Sequence, residues 1–198
     1  MKLDLTIDEV LSTTRSVRKR LDFDRPVERE VVEECLNLAL QSPTGGNSQG
    51  WHWIVVEDAA KRKALADIYK ENFKIYASLP GRKFAEGDQR IEQMPKVRDS
   101  AMYLAEEMHR APMLMIPCLE GRLENVDVAM GAGGWGSLLP GVWSFMLALR
   151  SRGMGSAWTT IHLILDGEKK AAEILGIPHE KITQGGLFPV AYTIGTDF

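Results

Sequence analysis

The chain is poor in the residues from which most catalytic machinery is recognised. It has two cysteines, Cys35 and Cys118, both in apolar surroundings and far apart. That spacing excludes a zinc framework and a disulfide scaffold and leaves them as reduced core residues. The four histidines His52, His109, His162 and His179 are scattered and read as structural or surface residues. There is no Walker A loop, and no Gly-x-Gly-x-x-Gly follows a strand pattern, so P-loop and Rossmann nucleotide binding are excluded. The acidic residues lie on helix faces and suggest no acid/base pair. Net charge is only -3, which gives no broad basic surface for nucleic acid or an anionic membrane. The first residues carry no apolar run, so a secretory signal is not expected and a cytoplasmic location is.

One long uncharged run is present. Val128 to Leu149 holds 22 residues without a charge, but with five glycines and Pro140 inside it and Arg150 and Arg152 just after. We read it as a buried helix from about Ser137 to Arg152, not a membrane span. A helix apolar on all sides has more neighbours to satisfy than one small core supplies, which predicts a homodimer.

The rest of the chain alternates helix and strand patterns within a single unit spanning residues 1–198. Thr6 and Glu9 have capping-box spacing and start a short helix. Val31, Val32, Cys35, Leu36, Ala39 and Leu40 recur at helical spacing. Trp51–Val56 is β-rich, and Asp58 caps a further helix reaching about Ser78. Residues 79–88 read as a loop and about 91–110 as a helix, making 69–109 an excursion between two core strands, placed to act as a wall or lid. Met113–Cys118 is a second strand pattern that Pro117 should end early or hold at an edge. After the long helix come an extended segment at Ser156–Ile161, a helix from Asp166 to Leu175, and a last strand at Phe188–Ile194.

Three stretches have the composition of a ligand site. Ser42–Trp51 joins a helix to a strand through Pro43, Thr44, Gly45, Gly46, Asn47 and Ser48, a run that can continue neither element and carries polar side chains beside free backbone N–H groups. Taken alone it reads as a helix stop and turn, and only the rest of the chain argues for a ligand. Arg15-Ser16-Val17-Arg18 sets two guanidiniums three residues apart, a spacing that suits a phosphate and also a solvated helix end. Thr159-Thr160, after Trp158, offers hydroxyl and backbone donors to a heterocycle or is an ordinary strand pair.

In this order, the three stretches resemble the nitroreductase family of flavin enzymes, and the resemblance spans nearly the whole chain. Arg-Ser-Val-Arg, a helix, then Ser-Pro-Thr-Gly-Gly-Asn-Ser-Gln-Gly-Trp leading into a strand is the specific part. The long helix ending Arg-Gly-Met-Gly-Ser-Ala-Trp-Thr-Thr and the closing strand ending Ile-Gly are also similar. The resemblance implies an α+β, nitroreductase-like three-layer fold, with a central mostly antiparallel sheet flanked by helices, in an intertwined homodimer with FMN at the subunit interface. It implies that Arg15, Ser16 and Arg18 bind the FMN phosphate and ribityl chain. Pro43, Thr44 and Asn47 would approach from the other subunit, and Trp158, Thr159 and Thr160 would lie along the isoalloxazine. It further implies NADH or NADPH as hydride donor, with a nitroaromatic, quinone or similar electron-poor acceptor. Reductive dehalogenation and non-catalytic FMN storage are the alternatives. Tyr69, Phe73, Tyr76, Phe84 and Tyr103 are candidate stacking partners in the lid. Thr14 stands where many relatives have a basic residue, and the basic residue that relatives carry after the last strand is either lacking or lost by truncation, so the resemblance implies weaker FMN retention.

Overall fold

A computed structural model describes residues 2–197. The helices are α1 (Ile7–Thr13), α2 (Arg29–Ala39), α3 (Ala59–Ser78), α4 (Arg90–Glu107), α5 (Val128–Arg150) and α6 (Gly167–Leu175). The strands are β1 (Leu21–Asp22), β2 (Trp51–Val56), β3 (Met113–Glu120), β4 (Met154–Ser156), β5 (Ile182–Gln184) and β6 (Phe188–Thr193). They form one sheet in the order β1-β6-β3-β2, with β4 also on β6 and β5 also on β3. Every pairing between these strands is antiparallel.

β3 is the spine because its side chains serve both faces. Met113, Met115 and Leu119 join Val32, Phe145 and Leu149 in a core beneath α2 and α5. Leu114, Ile116 and Cys118 join Leu65, Leu104 and Met108 in a second core beneath α3 and α4. Alternation along a strand sends successive residues to opposite faces, so two apolar layers on one strand produce three layers overall. Cys35 and Cys118 fall in different cores, and both are free and buried. Burial pushes their thiols up, to about 11 for Cys35 and about 12 for Cys118, which makes them inert hydrophobes at neutral pH.

Two expectations about proline and glycine are corrected. β3 neither ends at Pro117 nor lies at an edge. On one side Pro117 sits opposite Trp53 of β2. On the other, β6 pairs Met113–Met115 and β5 pairs Cys118–Glu120. The proline therefore falls in the gap between two partners, where no ladder donor is required of it, and its carbonyl still accepts from Gly185 N at 2.7 Å. α5 starts at Val128, nine residues before the expected Ser137. Asp127 caps it by accepting from Ala129 N and Met130 N at 2.9 and 3.0 Å, an anchor of about 1 kcal/mol. One of its glycines also answers a close packing contact: a Cβ on Gly134 would lie 2.7 Å from Leu123 Cδ2. Tertiary contact thus overrides poor helix propensity. Although α5 is 23 residues long, no described helix is long and apolar enough to cross a membrane.

Candidate functional site

The Arg15–Arg18 segment follows α1, whose capping box at Thr6 and Glu9 is present as expected. It then lies along β4: Ser16 and Ser156 form a parallel bridge, and Val17 N donates to Ser156 O at 2.9 Å. This contact needs Gly155, because a Cβ there would sit 2.9 Å from both Val17 Cγ2 and Thr193 Cγ2. Trp158, Thr159 and Thr160 continue directly from β4. The fold therefore brings together two motifs that are about 140 residues apart in sequence.

The two guanidiniums of this segment are lightly committed. Arg15 Nη1 donates to its neighbour's carbonyl, Thr14 O, at 2.9 Å. Arg18 Nη1 reaches Ser100 Oγ at 3.5 Å. Neither has a carboxylate partner among the described residues. Beside Arg15 is a small pocket of about 10 Å³, lined by Thr13, Thr14, Arg15, Arg150 and Ser156 among others. That is room for one water. Ser156 Oγ, one of its wall atoms, is buried without a hydrogen-bond partner. Such an orphan is uncommon and calls for an explanation such as a ligand or ordered water.

The structure separates the threonine pair. Thr159 is buried, its hydroxyl donating to Leu187 O at 2.8 Å while its carbonyl accepts from Leu187 N at 2.8 Å. Its hydroxyl proton is therefore not available to a heterocycle, contrary to expectation. Thr160 is exposed, and its backbone stands at φ -126 and ψ 4, in the sparsely populated bridge region where active-site residues recur. Trp158 is half-buried, with Nε1 donating to Gly185 O at 3.3 Å and its ring 5.6 Å from that of Phe188.

The Ser42–Trp51 loop hangs from the middle of α5. Gly45 N donates to Ser137 Oγ at 2.9 Å, and Trp51 Nε1 donates to Ser137 O at 2.9 Å. Ser42 Oγ meets Ser144 Oγ at 3.3 Å. Inside the loop Thr44 Oγ1 accepts from Gln49 N and Asn47 Oδ1 from Gln49 Nε2. Asn47 and Gln49 both have positive φ, 54 and 48, a strained geometry for residues with a Cβ. Pro43 and Asn47 are exposed and Thr44 is half-buried. The loop spells Gly46-Asn47-Ser48-Gln49-Gly50, but it runs from a helix into a strand, the reverse of a nucleophile elbow. Arg15 and Thr14 meet α5 near Arg150, Ser42 meets it at Ser144, and Gly45, next to Thr44, meets it at Ser137; at 1.5 Å per residue the Thr44–Asn47 part of the loop is anchored about 20 Å from the basic segment. One chain therefore does not bring Pro43, Thr44 and Asn47 to Arg15, Ser16 and Arg18.

In the excursion, Tyr69 and Phe73 are buried and stack at 6.1 Å within the second core, so they are not ligand-stacking residues. Burial pushes Tyr69 up to about 12, opposed by the nearby charge of Arg18. Tyr76 is exposed, and Phe84 lies 4.6 Å below the Arg90 guanidinium. α4 is tied to the basic segment by Lys19–Asp99 at 2.5 Å as well as by Ser100.

Sequence reasoning missed one polar cluster behind Thr160. Arg122 binds Glu168 through both Nη atoms at 3.0 and 2.8 Å. Glu168 Oε1 accepts from Gln184 N, and Gln184 Nε2 donates to Glu168 O at 2.8 Å. His162 Nε2 meets Gln184 Oε1 at 3.2 Å. Burial raises the Glu168 carboxyl, but the hydrogen bonds from Arg122 and Gln184 outweigh it and hold it below its ordinary value. Asn72 closes the cluster by donating to the carbonyls of Ile161, His162 and Ile164. Among the described residues no group of histidine, cysteine and carboxylate side chains could hold a metal.

Comparison with known proteins identifies the family and the fold. The model of the Nitroreductase family matches residues 11–192, and the chain belongs to that family. A protein of Methanothermobacter thermautotrophicus, provisionally named NADH dehydrogenase/NAD(P)H nitroreductase, is 22% identical over 193 residues, covering 93% of this chain and 75% of its own. Iodotyrosine deiodinase 1 of Rattus norvegicus is 26% identical over 109 residues, covering 54% of this chain and 35% of its own. Among solved structures, iodotyrosine deiodinase bound to FMN and 3-iodo-L-tyrosine matches with TM-score 0.72 at 18% identity, over 98% of this chain and 92% of that one. The FMN- and NADPH-dependent nitroreductase NfnB of sphigopyxis sp. strain HMH matches with TM-score 0.68 at 20% identity, over 96% and 89%. These structures share the α+β fold.

Proposed function

We propose that the protein is an FMN-dependent oxidoreductase that takes hydride from NADH or NADPH and passes electrons to a nitroaromatic, quinone or similar electron-poor acceptor by a ping-pong cycle. The observation that carries this reading is the junction at Ser16 and Ser156. Two lightly committed guanidiniums and an orphan hydroxyl stand there beside the segment leading to an exposed threonine. The exposed Arg15 and Ser16 and the half-buried Arg18 fit the group, since a phosphate satisfies cations and hydroxyls through charge-assisted hydrogen bonds, while the one-water pocket at Ser156 is too small to admit it. Arg15, Ser16 and Arg18 would hold the phosphate and ribityl end. Trp158, Thr159 and Thr160 would flank the ring, with Thr160 presenting the available hydroxyl and Thr159 fixing the backbone. Bound FMN supplies the hydride chemistry, so the chain needs no acid/base constellation of its own.

We infer that the working unit is a homodimer. The loop bearing Pro43, Thr44 and Asn47 is stranded about 20 Å along α5 from the basic segment of its own chain, and a second copy would supply it. α5 also leaves an uncovered face: Val128 and Met130 are 89% and 65% exposed, and a Cβ added at Gly133 or Gly136 would touch nothing. A small acceptor is the expected partner, and neither nucleic acid nor membrane is.

Reductive dehalogenation is the second reading, favoured by the exposed Thr160 beside a committed Thr159. The deciding experiment is anaerobic reduction of FMN-loaded protein by NADH and by NADPH, followed by nitroaromatic, quinone and iodophenol acceptors. Protein that shows no flavin absorbance and gains none on adding FMN sinks the proposal. Bound FMN that no nicotinamide reduces would point to storage.

A further inference from the structure

We propose that His162 is a positioning residue for the flavin-facing segment: as the neutral Nε2–H tautomer it donates to the Gln184 side-chain carbonyl and thereby holds Thr160 in its presenting conformation. The inference rests on the FMN reading above.

The direction of the hydrogen bond follows from the network. Gln184 Nε2 donates to Glu168 O at 2.8 Å, and flipping the amide would set two oxygens against each other. Its Oε1 therefore faces His162 Nε2 at 3.2 Å and can only accept. His162 must carry its proton on Nε2. Nδ1, buried and without a partner, is then a bare lone pair, whereas the other tautomer would bury an orphan N–H and oppose two lone pairs. Orphaned acceptors are tolerated better than orphaned donors. Burial pushes the imidazole down to about 4, so it is neutral at working pH, with the Arg122–Glu168 pair beyond Gln184 as the nearest charges in the network.

The consequence falls on Thr160. Trp158 is tied to Gly185 and Thr159 to Leu187. His162, two residues past Thr160, is tied to Gln184 of the same passing segment. Thr160 is thus exposed between two fixed flanks, and its side chain makes no hydrogen bond among the described residues. At φ -126 and ψ 4 it opens the 3-10 turn Ile161–Leu163, its carbonyl accepting from Leu163 N at 3.0 Å, and the flanks fix where that turn begins.

Two measurements test the assignment. Long-range 1H–15N spectra of the labelled protein, recorded without flavin, should show His162 protonated at Nε2 and bare at Nδ1; the opposite tautomer overturns it. His162→Leu, loaded with FMN, should be reduced by the preferred nicotinamide about tenfold more slowly, as loss of one buried hydrogen bond predicts. Its flavin midpoint potential should be displaced, with FMN affinity within about twofold of wild type because the basic segment is untouched. His162→Gln, whose amide nitrogen reaches the Nε2 position, should restore most of the rate and the potential. If His162→Leu does not fold, His162→Asn, whose amide reaches only the Nδ1 position, takes its place. Wild-type rate and potential in the leucine or asparagine variant, or a glutamine variant as impaired as they are, overturns the proposal. Wild-type protein that takes up no FMN overturns the underlying flavin reading, and the tautomer spectrum does not depend on that outcome.

Discussion

Two arginine sites with opposite states of satisfaction lie on this chain. Arg122 is saturated: its Nη atoms grip Glu168, Nη1 also donates to the carbonyls of His179 and Ile182 at 3.0 and 2.7 Å, and Nε donates to Glu124 at 2.7 Å. Arg15 and Arg18 hold one neutral oxygen each, the second at the 3.5 Å limit. In sequence the first is a lone cation after a strand and the others a spaced basic pair, but neither context says whether a partner is at hand. The difference is whether the fold has already supplied the anion. A satisfied guanidinium is a staple, and an unsatisfied one beside an orphan hydroxyl awaits a ligand.

The largest expected effect is on the staple. Arg122→Met leaves Glu168 half-buried without its partner and strands three acceptors, which should cost about 3 kcal/mol. For a chain of this size that is a fall of about 10 °C in Tm. Thermal unfolding of the apoprotein is the check, together with flavin content per folded molecule, which should not change. If flavin were lost and stability kept, the roles assigned to the two sites would be reversed.

The same cluster should make the fold acid-sensitive through His162. In the folded protein burial holds the imidazole at about 4, against an ordinary value of 6.5. Between those pH values the unfolded chain binds a proton that the folded chain refuses, so stability falls as pH falls. It is fully present above about pH 6.5, and roughly 3 kcal/mol is lost by pH 4. The lowered carboxyl of Glu168 extends the loss below its ordinary range, because protonation breaks its bond with Arg122. Urea unfolding across this window measures the slope. His162→Gln should flatten it, and an unchanged slope in that variant would show that other groups carry the acid sensitivity.

That cluster also marks the limit of what was legible in the sequence. Periodicity was enough for α2, which buries one face against the sheet; β-rich composition marked β2, the Asp58 cap marked the start of α3, and β6, buried on both faces, read as an apolar run. β1, β4 and β5 have two or three residues each, too few for any period. They exist because β3 and β6 offer unpaired edges. The Arg15–Arg18 and Ser42–Trp51 stretches were visible because a basic pair and a strand-entry loop are local patterns. Arg122 and Glu168 are 46 residues apart, and His162 meets Gln184 only through packing, so no local signal could pair them. Thr159 and Thr160 were indistinguishable until the bridge to Leu187 committed the first. α5 was read too short because glycine was taken as a breaker, when Gly134 answers the close approach of Leu123.

On the open side of the comparison, Arg18→Ala should weaken FMN binding by about 2 kcal/mol, roughly thirtyfold, the usual scale of one charge-assisted hydrogen bond. Fluorescence titration of the apoprotein is the measurement. Riboflavin, which lacks the phosphate, should bind both proteins equally. An equal loss for riboflavin would move Arg18 away from the phosphate, and no loss for FMN would remove it from the site. Apoprotein stability should stay within about 0.5 kcal/mol of wild type, since Arg18 has no carboxylate to abandon.

The smallest effect tests whether the open site communicates with the excursion above it. Lys19 and Asp99 form an ion pair at 2.5 Å with side chains 48% and 67% exposed, and an exposed pair of this kind stabilises by about 0.5 kcal/mol at most. Asp99→Asn should therefore leave Tm almost unchanged. Yet the pair sits one residue from the Arg18–Ser100 contact and is one of two ties between the basic segment and α4. Beyond it the helix is uncovered, with Met94 and Val97 41% and 44% exposed. Loss of so weak a tie should show first in motion: amide exchange in residues 90–99 should quicken, while exchange in the Leu104–Met108 turn, which is buried in the second core, should not. The difference should shrink at high salt, which screens the pair in the wild type. Equal exchange in both proteins would mean that α4 is held by its C-terminal packing alone, and that the basic segment and the excursion behave independently.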